Sequence, residues 1–379
     1  MIARWLSLGA ALLGFPSEAM ADPQLDVVAS AAMAHTGAQG LALALIEPGR
    51  VVAQGAWGKR NARGEPLTTE TVMYGASLTK TVFAALVIEL AGEGRLDLDA
   101  PIARMLPRSL PEYIDPEERY APWPDLASDP RWARITPRHV LTHSTGFANF
   151  FWLNPDRKLT LHFNPGSRYA YSGDGMMLLQ FALEQGLGFD VGREVQRRLF
   201  DRYRLTRTSL QWRPDFADNL ADGWTAEGAV EPHDQRERVR AAGSMDTTVS
   251  DMARLWAGLL ADKQILRAMA RPNLPITTAS QFPTLLPELP RAKRVRKLAA
   301  GLGVVTFIGP QGPGFYKGGH NDSTGNTVVC LLRRKRCVVI MSNDVRAEAA
   351  FPEIVLQLLG QTGVPWSWEY GEHSWTRPQ

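Results

Sequence analysis

Ser77 and Lys80 stand three positions apart in Tyr74-Gly75-Ala76-Ser77-Leu78-Thr79-Lys80, where a run of helical apolar spacing begins. Val82, Phe83, Leu86, Val87 and Leu90 recur at that spacing, which predicts a buried helix from Ser77 to about Ala91, ended by Gly92 and Gly94. Residues i and i+3 share a helix face, so a hydroxyl and an amine meet at a helix N-terminus. Serine is a poor nucleophile until a neighbouring base takes its proton. Lysine can be that base when burial and nearby positive potential, including the helix N-terminus, lower its hold on the proton. The backbone N–H of Ser77 can also face a developing oxyanion. The pair alone decides nothing: with 17 Ser and 8 Lys in 379 residues, chance supplies about 0.4 such pairs. A capping serine beside a solvated lysine is the commoner arrangement.

Two later segments supply what the pair lacks. The turn Phe163-Asn164-Pro165-Gly166 leads into Tyr169-Ala170-Tyr171-Ser172-Gly173, and a helix is expected from about Asp174 to Gln185. A tyrosine at the mouth of a helix can present its hydroxyl to a serine, and a nearby ammonium makes its phenolate more accessible. Lys317-Gly318-Gly319-His320 follows a strand-like run. Glycines there let a backbone approach a substrate closely, and the N–H of His320 would be a second oxyanion donor. The three segments, in this order, describe a serine acyl-transfer centre with Ser77, Lys80 and Tyr171 as its reacting groups. They call for no cofactor. His139 and His143 would be four apart on a short helix opening at Thr136-Pro137, a spacing that suits zinc, but no adjacent Glu and no third ligand accompany them. They read as a structural pair, and no metal is expected. His233 stands alone.

The elements that must position these groups come from both ends of the chain. Leu25 to Met33 reads as a helix, and Leu41–Ile46 and Val51–Trp57 as strands joined at Glu47-Pro48-Gly49. Ser77 to about Ala270 is mostly helical. Strand-like runs return at Leu302–Ile308, Gly314–Tyr316, Thr327–Leu332 and Val338–Ser342, and a last helix is expected from about Ala347 to Leu359. This is an α/β (α+β) pattern: an antiparallel sheet built from about 22–70 and 300–365, flanked by terminal helices, with a helical subdomain inserted over about 71–299. Residues 22–379 are read as one domain. Pro107–Arg134 and Pro272–Pro290 read as long loops, a length that is often functional, and a solvated basic run follows the second. The aromatic tail Trp366-Ser367-Trp368-Glu369-Tyr370 has no place assigned by the pattern. Cys330 and Cys337 flank Arg333-Arg334-Lys335-Arg336 in a hairpin, and the spacing fits a cross-strand disulfide and two half-buried thiols equally well.

Residues 1–21 have a basic start, an apolar core from Trp5 to Phe15 and Ala19-Met20-Ala21 at a cleavage position. They read as a secretory signal peptide, with the mature chain beginning at Asp22 in the periplasm. That apolar run is too short to span a membrane, and no later run is long enough. The net charge of +3 is spread out and gives no ground for nucleic-acid binding.

On these motifs the chain resembles the serine β-lactamase and penicillin-binding-protein superfamily, in the branch with class C β-lactamases, D,D-carboxypeptidases, D-aminopeptidases and family VIII esterases. Ser77-Leu78-Thr79-Lys80 is similar to the S-x-x-K motif, Tyr171-Ser172-Gly173 stands where the family has Y-x-N, and Lys317-Gly318-Gly319 where it has K-T-G or H-x-G. Val140-Leu141-Thr142-His143-Ser144-Thr145-Gly146 and Ala241-Ala242-Gly243-Ser244-Met245-Asp246-Thr247-Thr248 extend the likeness over nearly the whole mature chain. The resemblance implies a β-lactamase/transpeptidase-like fold and acylation of Ser77. Lys80 and Tyr171 would share the proton transfers, and the N–H groups of Ser77 and His320 would form the oxyanion hole. Lys317 would support the tyrosine or meet a substrate carboxylate, with Gly318, Gly319 and Gly173 lining the substrate. Substrates implied are small esters, amides or peptides, with β-lactams as a further class. Two departures stand out. Gly173 replaces an amide side chain that in the family helps hold the acyl amide and the lysine. Gly318 replaces a threonine hydroxyl that helps hold a substrate carboxylate. Both weigh against efficient β-lactam hydrolysis, while Lys317 still favours a carboxylate-bearing ligand.

Overall fold

Alternation of side chains along one strand, second from the edge of the main sheet, shows how the core is divided. In the strand Gly40–Ile46 every residue is buried. Leu41, Leu43 and Leu45 enter one hydrophobic cluster, and Ala42, Ala44 and Ile46 enter the other. A strand buried on both faces carries a continuous apolar run, and this one divides the core in two. The computed structural model describes residues 22–115 and 117–371. The expected signal peptide lies outside the described residues.

The strands are β1 Gly40–Ile46, β2 Val51–Gly58, β3 Met73–Tyr74, β4 Gly223–Trp224, β5 Val230–Glu231, β6 Asp246–Thr247, β7 Leu274–Pro275, β8 Ala299–Ala300, β9 Val305–Gly309, β10 Gly312–His320, β11 Gly325–Leu331 and β12 Arg336–Ser342. The main sheet runs β2-β1-β12-β11-β10-β9-β8-β7, and its pairs are antiparallel. The α-helices are α1 Pro23–Thr36, α2 Leu78–Gly92, α3 Pro137–Leu141, α4 Gly173–Leu187, α5 Val191–Val195, α6 Val249–Ala261, α7 Lys263–Met269, α8 Phe351–Leu359 and α9 Trp366–Tyr370. Helices α1 and α8 bury Leu25, Val28, Ile354 and Val355 on one face of the sheet, while α2, α4 and α6 bury Phe83, Leu86, Leu179 and Trp256 on the other. Among the described residues no helix is long and apolar enough to cross a membrane.

Several expected elements differ from what the chain forms. Lys317-Gly318-Gly319 does not follow a strand but lies inside β10, because the ladder with β11 continues to His320–Gly325. The expected helix at Ala347 begins as a 3₁₀ turn, Val345–Ala350, and Phe351–Leu359 is not the last helix, since α9 follows it. The stretch 107–134, expected as a long loop, carries short 3₁₀ turns and buries Tyr113, Tyr120 and Trp123, whose rings pack on Phe181 of α4. Cys330 and Cys337 are register partners between β11 and β12 and are joined in a disulfide.

Candidate active site

The turn that carries Ser77 is tied down from two sides. Before it, β3 pairs with β6, and Gly75 N donates to Met245 O at 2.8 Å. Ala76 holds a left-handed φ of 46°, which costs an alanine roughly 1 kcal/mol or more and is held by the packing around it. Thr79 Oγ1 donates to Ala76 O at 2.6 Å and accepts from Met245 N at 3.1 Å. Ser77 thus sits as the N-cap residue of α2 with no capping bond from its side chain. Its hydroxyl is left for other partners.

Those partners are Lys80 and Tyr171. Lys80 Nζ lies 3.0 Å from Ser77 Oγ, and the Tyr171 hydroxyl donates to the same oxygen at 2.7 Å. Lys80 Nζ also donates to Ala242 O, so the segment Ala241–Thr248 fixes the amine as well as the turn. Lys80 is 2% exposed. Burial, then the charges of Lys317 and Arg240, hold its pKa well below the ordinary lysine value. A neutral amine one helical turn from a serine hydroxyl can accept that hydroxyl's proton. Tyr171 moves the other way. Burial raises it far more than the Ser77 contact lowers it, so the expected easy phenolate gives way to a protonated phenol.

Tyr171 is held by the segment around His143. Helix α3 ends at Leu141, and His143 lies beyond it with φ 51°, so His139 and His143 are not a helical i,i+4 pair. His139 Nδ1 instead accepts from Thr136 N at 3.3 Å in a capping box. His143 Nδ1 accepts from Ser172 N at 3.1 Å, and its ring lies 4.3 Å from that of Tyr171. Burial, with Lys80 and Lys317 nearby, keeps His143 neutral. Ser172 turns away: its hydroxyl donates to Ala148 O and caps α4 at Gly175 N.

Strand β10 forms the opposite wall. It pairs with β9 only as far as Tyr316, so 317–320 has no partner in β9 and lies next to the Ser77 turn. A Cβ built on Gly319 would lie 3.0 Å from Ser77 N, 2.9 Å from Leu78 N and 3.0 Å from Gly75 O, all backbone, so glycine is required by close approach. Lys317 Nζ lies 5.2 Å from the Tyr171 ring centre and donates to Gly318 O at 2.5 Å. Burial lowers its pKa to about 8 against the pull of Glu369. His320 Nδ1 meets Glu348 Oε1 at 2.9 Å; burial pulls its pKa down, but Glu348 outweighs it and the net direction is up.

The sequence motifs did not point to four residues that complete these walls. Phe150 lies over Gly173, its ring atoms 2.4 Å from where a Cβ would stand, and stacks on Trp152 with centroids 4.4 Å apart. A cleft of about 570 Å³ adjoins this flank, lined by Phe151, Trp152, Asp174 and Arg240 among others. Gln281 and Phe282, from the loop 272–290, reach the site: the Phe282 ring is 5.3 Å from that of Tyr171. Glu369 of α9 stands against Gly318 and Lys317. The charge that Lys317 was expected to offer a ligand therefore already has a carboxyl group within electrostatic reach. No period or motif marks these residues; the aromatic run around Glu369 was the sole signal of a packed tail.

The Beta-lactamase family model matches residues 25–360. The chain belongs to the beta-lactamase family. Among relatives of known name, esterase EstB of Burkholderia gladioli is 29% identical over 167 residues, which cover 43% of this chain and 36% of that protein. A putative fimbrial assembly protein FimD of Dichelobacter nodosus is 26% identical over 221 residues, covering 52% of this chain and 51% of that protein. The matched stretches thus span about half or less of these relatives. Solved structures resemble far more of this beta-lactamase-family chain. A penicillin-binding protein homologue from Pyrococcus abyssi superposes with TM-score 0.69 at 18% identity, covering 90% of this chain and 78% of that one. D-alanine carboxypeptidase AmpC from Burkholderia cenocepacia gives 0.68 at 15%, covering 89% and 97%. A class C beta-lactamase gives 0.69 at 16%, covering 89% and 94%. At such identities the likeness is one of fold.

Proposed function

We propose that this chain is an exported serine hydrolase that opens small neutral esters through an acyl-enzyme at Ser77. The observation that carries the reading is the convergence of Lys80 Nζ at 3.0 Å and the Tyr171 hydroxyl at 2.7 Å on Ser77 Oγ. Lys80, its pKa lowered by burial and by the charges of Lys317 and Arg240, takes the serine proton as Oγ attacks the carbonyl carbon. Tyr171, kept protonated, passes its proton to the leaving oxygen and regains one from the amine. The N–H groups of Ser77 and His320 receive the oxyanion. Water then attacks the acyl-enzyme with the proton transfers reversed.

Esters are favoured over β-lactams because the amide that would grip an acyl amide is absent at Gly173, with Phe150 in its seat. An ester is intrinsically easier to open than an amide and depends less on that grip. The stretch shared with esterase EstB is consistent with this choice. The purified mature protein should hydrolyse p-nitrophenyl butyrate measurably and nitrocefin weakly or not at all. A kcat/KM for nitrocefin above that for the ester would replace this reading with a class C-type β-lactamase. Stoichiometric labelling by penicillin without turnover of either would make it a slowly deacylating penicillin-binding module. Secreted material should begin at Asp22, and intact Met1 in the cytosol would refute export.

A further inference from the structure

The C-terminal helix sets a carboxylate where strand β10 omits a side chain. A Cβ built on Gly318 would lie 2.4 Å from Glu369 Oε1 and 2.9 Å from the Tyr370 hydroxyl. Glu369 is only 7% exposed, and the mechanism above does not use it. Its position is built. Trp368, 1% exposed, anchors the helix beside it, and Gln281 N donates to Trp368 O at 2.8 Å. Gln281 Oε1 accepts from the Tyr169 hydroxyl at 2.9 Å, which leaves its amide to bond the Glu369 carboxylate. Burial raises the pKa of that carboxyl group above the ordinary carboxylate value, against the opposing pull of Lys317 and His320.

A lysine that burial discourages from charging, and that already has a carboxyl group within electrostatic reach, has less to offer a ligand. The other nearby acid, Glu348, is bonded to His320 at 2.9 Å. The space between Lys317, Glu369, Tyr169, Tyr171 and His143 is about 10 Å³, close to the room for one water. A substrate carboxylate directed here would meet a seat already filled by another carboxyl group, and two carboxyl groups sharing one desolvated site cannot both ionise without strong repulsion.

We propose that Glu369 is a specificity-determining residue that bars substrates with a free carboxylate near the scissile bond and reserves the site for uncharged esters. This rests on the serine-hydrolase reading and names its substrate class. The test uses two esters differing by one charge: the phenylacetyl esters of 3-hydroxybenzoic acid and of methyl 3-hydroxybenzoate, each rate normalised to alkaline hydrolysis. Wild type should favour the neutral twin by about tenfold or more. Glu369→Gln, which keeps the shape, should shift the charged-to-neutral kcat/KM ratio toward the acid, and Glu369→Ala should shift it further by opening the seat. Equal treatment of the twins by wild type, or variants that change both twins by one factor as a purely structural role would, overturns the proposal. If Glu369→Ala does not fold, Glu369→Gln and the wild-type ratio decide. Labelling of Ser77 by a neutral fluorophosphonate separates the two levels. No label removes the hydrolase reading and this inference with it; a label without discrimination between the twins removes this inference alone.

Discussion

Gly173 follows Tyr171 by two residues and Gly318 precedes Gly319, which packs on the Ser77 turn, and both stand where the resemblance leads us to expect a side chain. The vacated space is filled in opposite ways. At Gly173 it is taken by the Phe150 ring, an apolar group backed by Trp152 and next to a cleft of about 570 Å³. At Gly318 it is taken by the Glu369 carboxylate, in a corner with about 10 Å³ to spare. One flank is filled by an aromatic ring, the other by a carboxyl group in a closed corner. Between them Ser77, Lys80 and Tyr171 keep hydrogen-bond contact. On the proposed reading, the reacting groups keep their contacts while the walls on either side are occupied by residues remote in sequence.

That contrast predicts its largest effects in the part that is kept. Lys80→Ala and Tyr171→Phe should each lower kcat roughly a hundred- to ten-thousand-fold with little change in KM. The double variant should lose far less than the product of the two, since both groups serve one proton path. Losses that simply multiply would show two independent groups and break the division between a fixed centre and variable walls.

A smaller effect is expected at the apolar wall. Gly173→Asn alone forces a side chain into the Phe150 ring and should cost about 1–3 kcal/mol in a urea unfolding titration. Gly173→Asn combined with Phe150→Ala clears the seat. It should raise nitrocefin acylation relative to ester hydrolysis by about tenfold, the worth of one well-placed hydrogen bond. An unchanged ratio would mean that Phe150 does not set the substrate preference.

The least expected change is a shift in position along the pH axis. Lys80 must be neutral to accept a proton, so kcat/KM should fall as pH drops through its lowered pKa. After burial, the charge of Lys317 is the next cause of that lowering. Lys317→Met should let Lys80 hold its proton to higher pH and move the acid limb upward. A limb that stays in place, or moves down, would uncouple the two lysines.

The reacting centre was legible because its parts are local. Ser77 and Lys80 share one helical turn, and Tyr171 sits at the mouth of the next long helix, so the three come into view once the motifs are read together in order. The sheet was legible because β1, β11 and β12 are apolar runs between turns. The walls were not. A glycine announces that something comes close without naming it, and Phe150 and Glu369 arrive through tertiary packing. Burial also reversed one expectation: it keeps Tyr171 protonated where a neighbouring ammonium alone would favour the phenolate. His143 read as a helical partner of His139 because spacing cannot show that α3 stops at Leu141.

The central claim is that Ser77 is acylated. Intact-mass measurement after treatment with a neutral fluorophosphonate tests it most directly. Wild type should gain the mass of one label, mapped by peptide digestion to Ser77, and Ser77→Ala should gain none while keeping its fold by circular dichroism. A Ser77→Ala protein that labels and hydrolyses p-nitrophenyl butyrate like wild type would contradict the account.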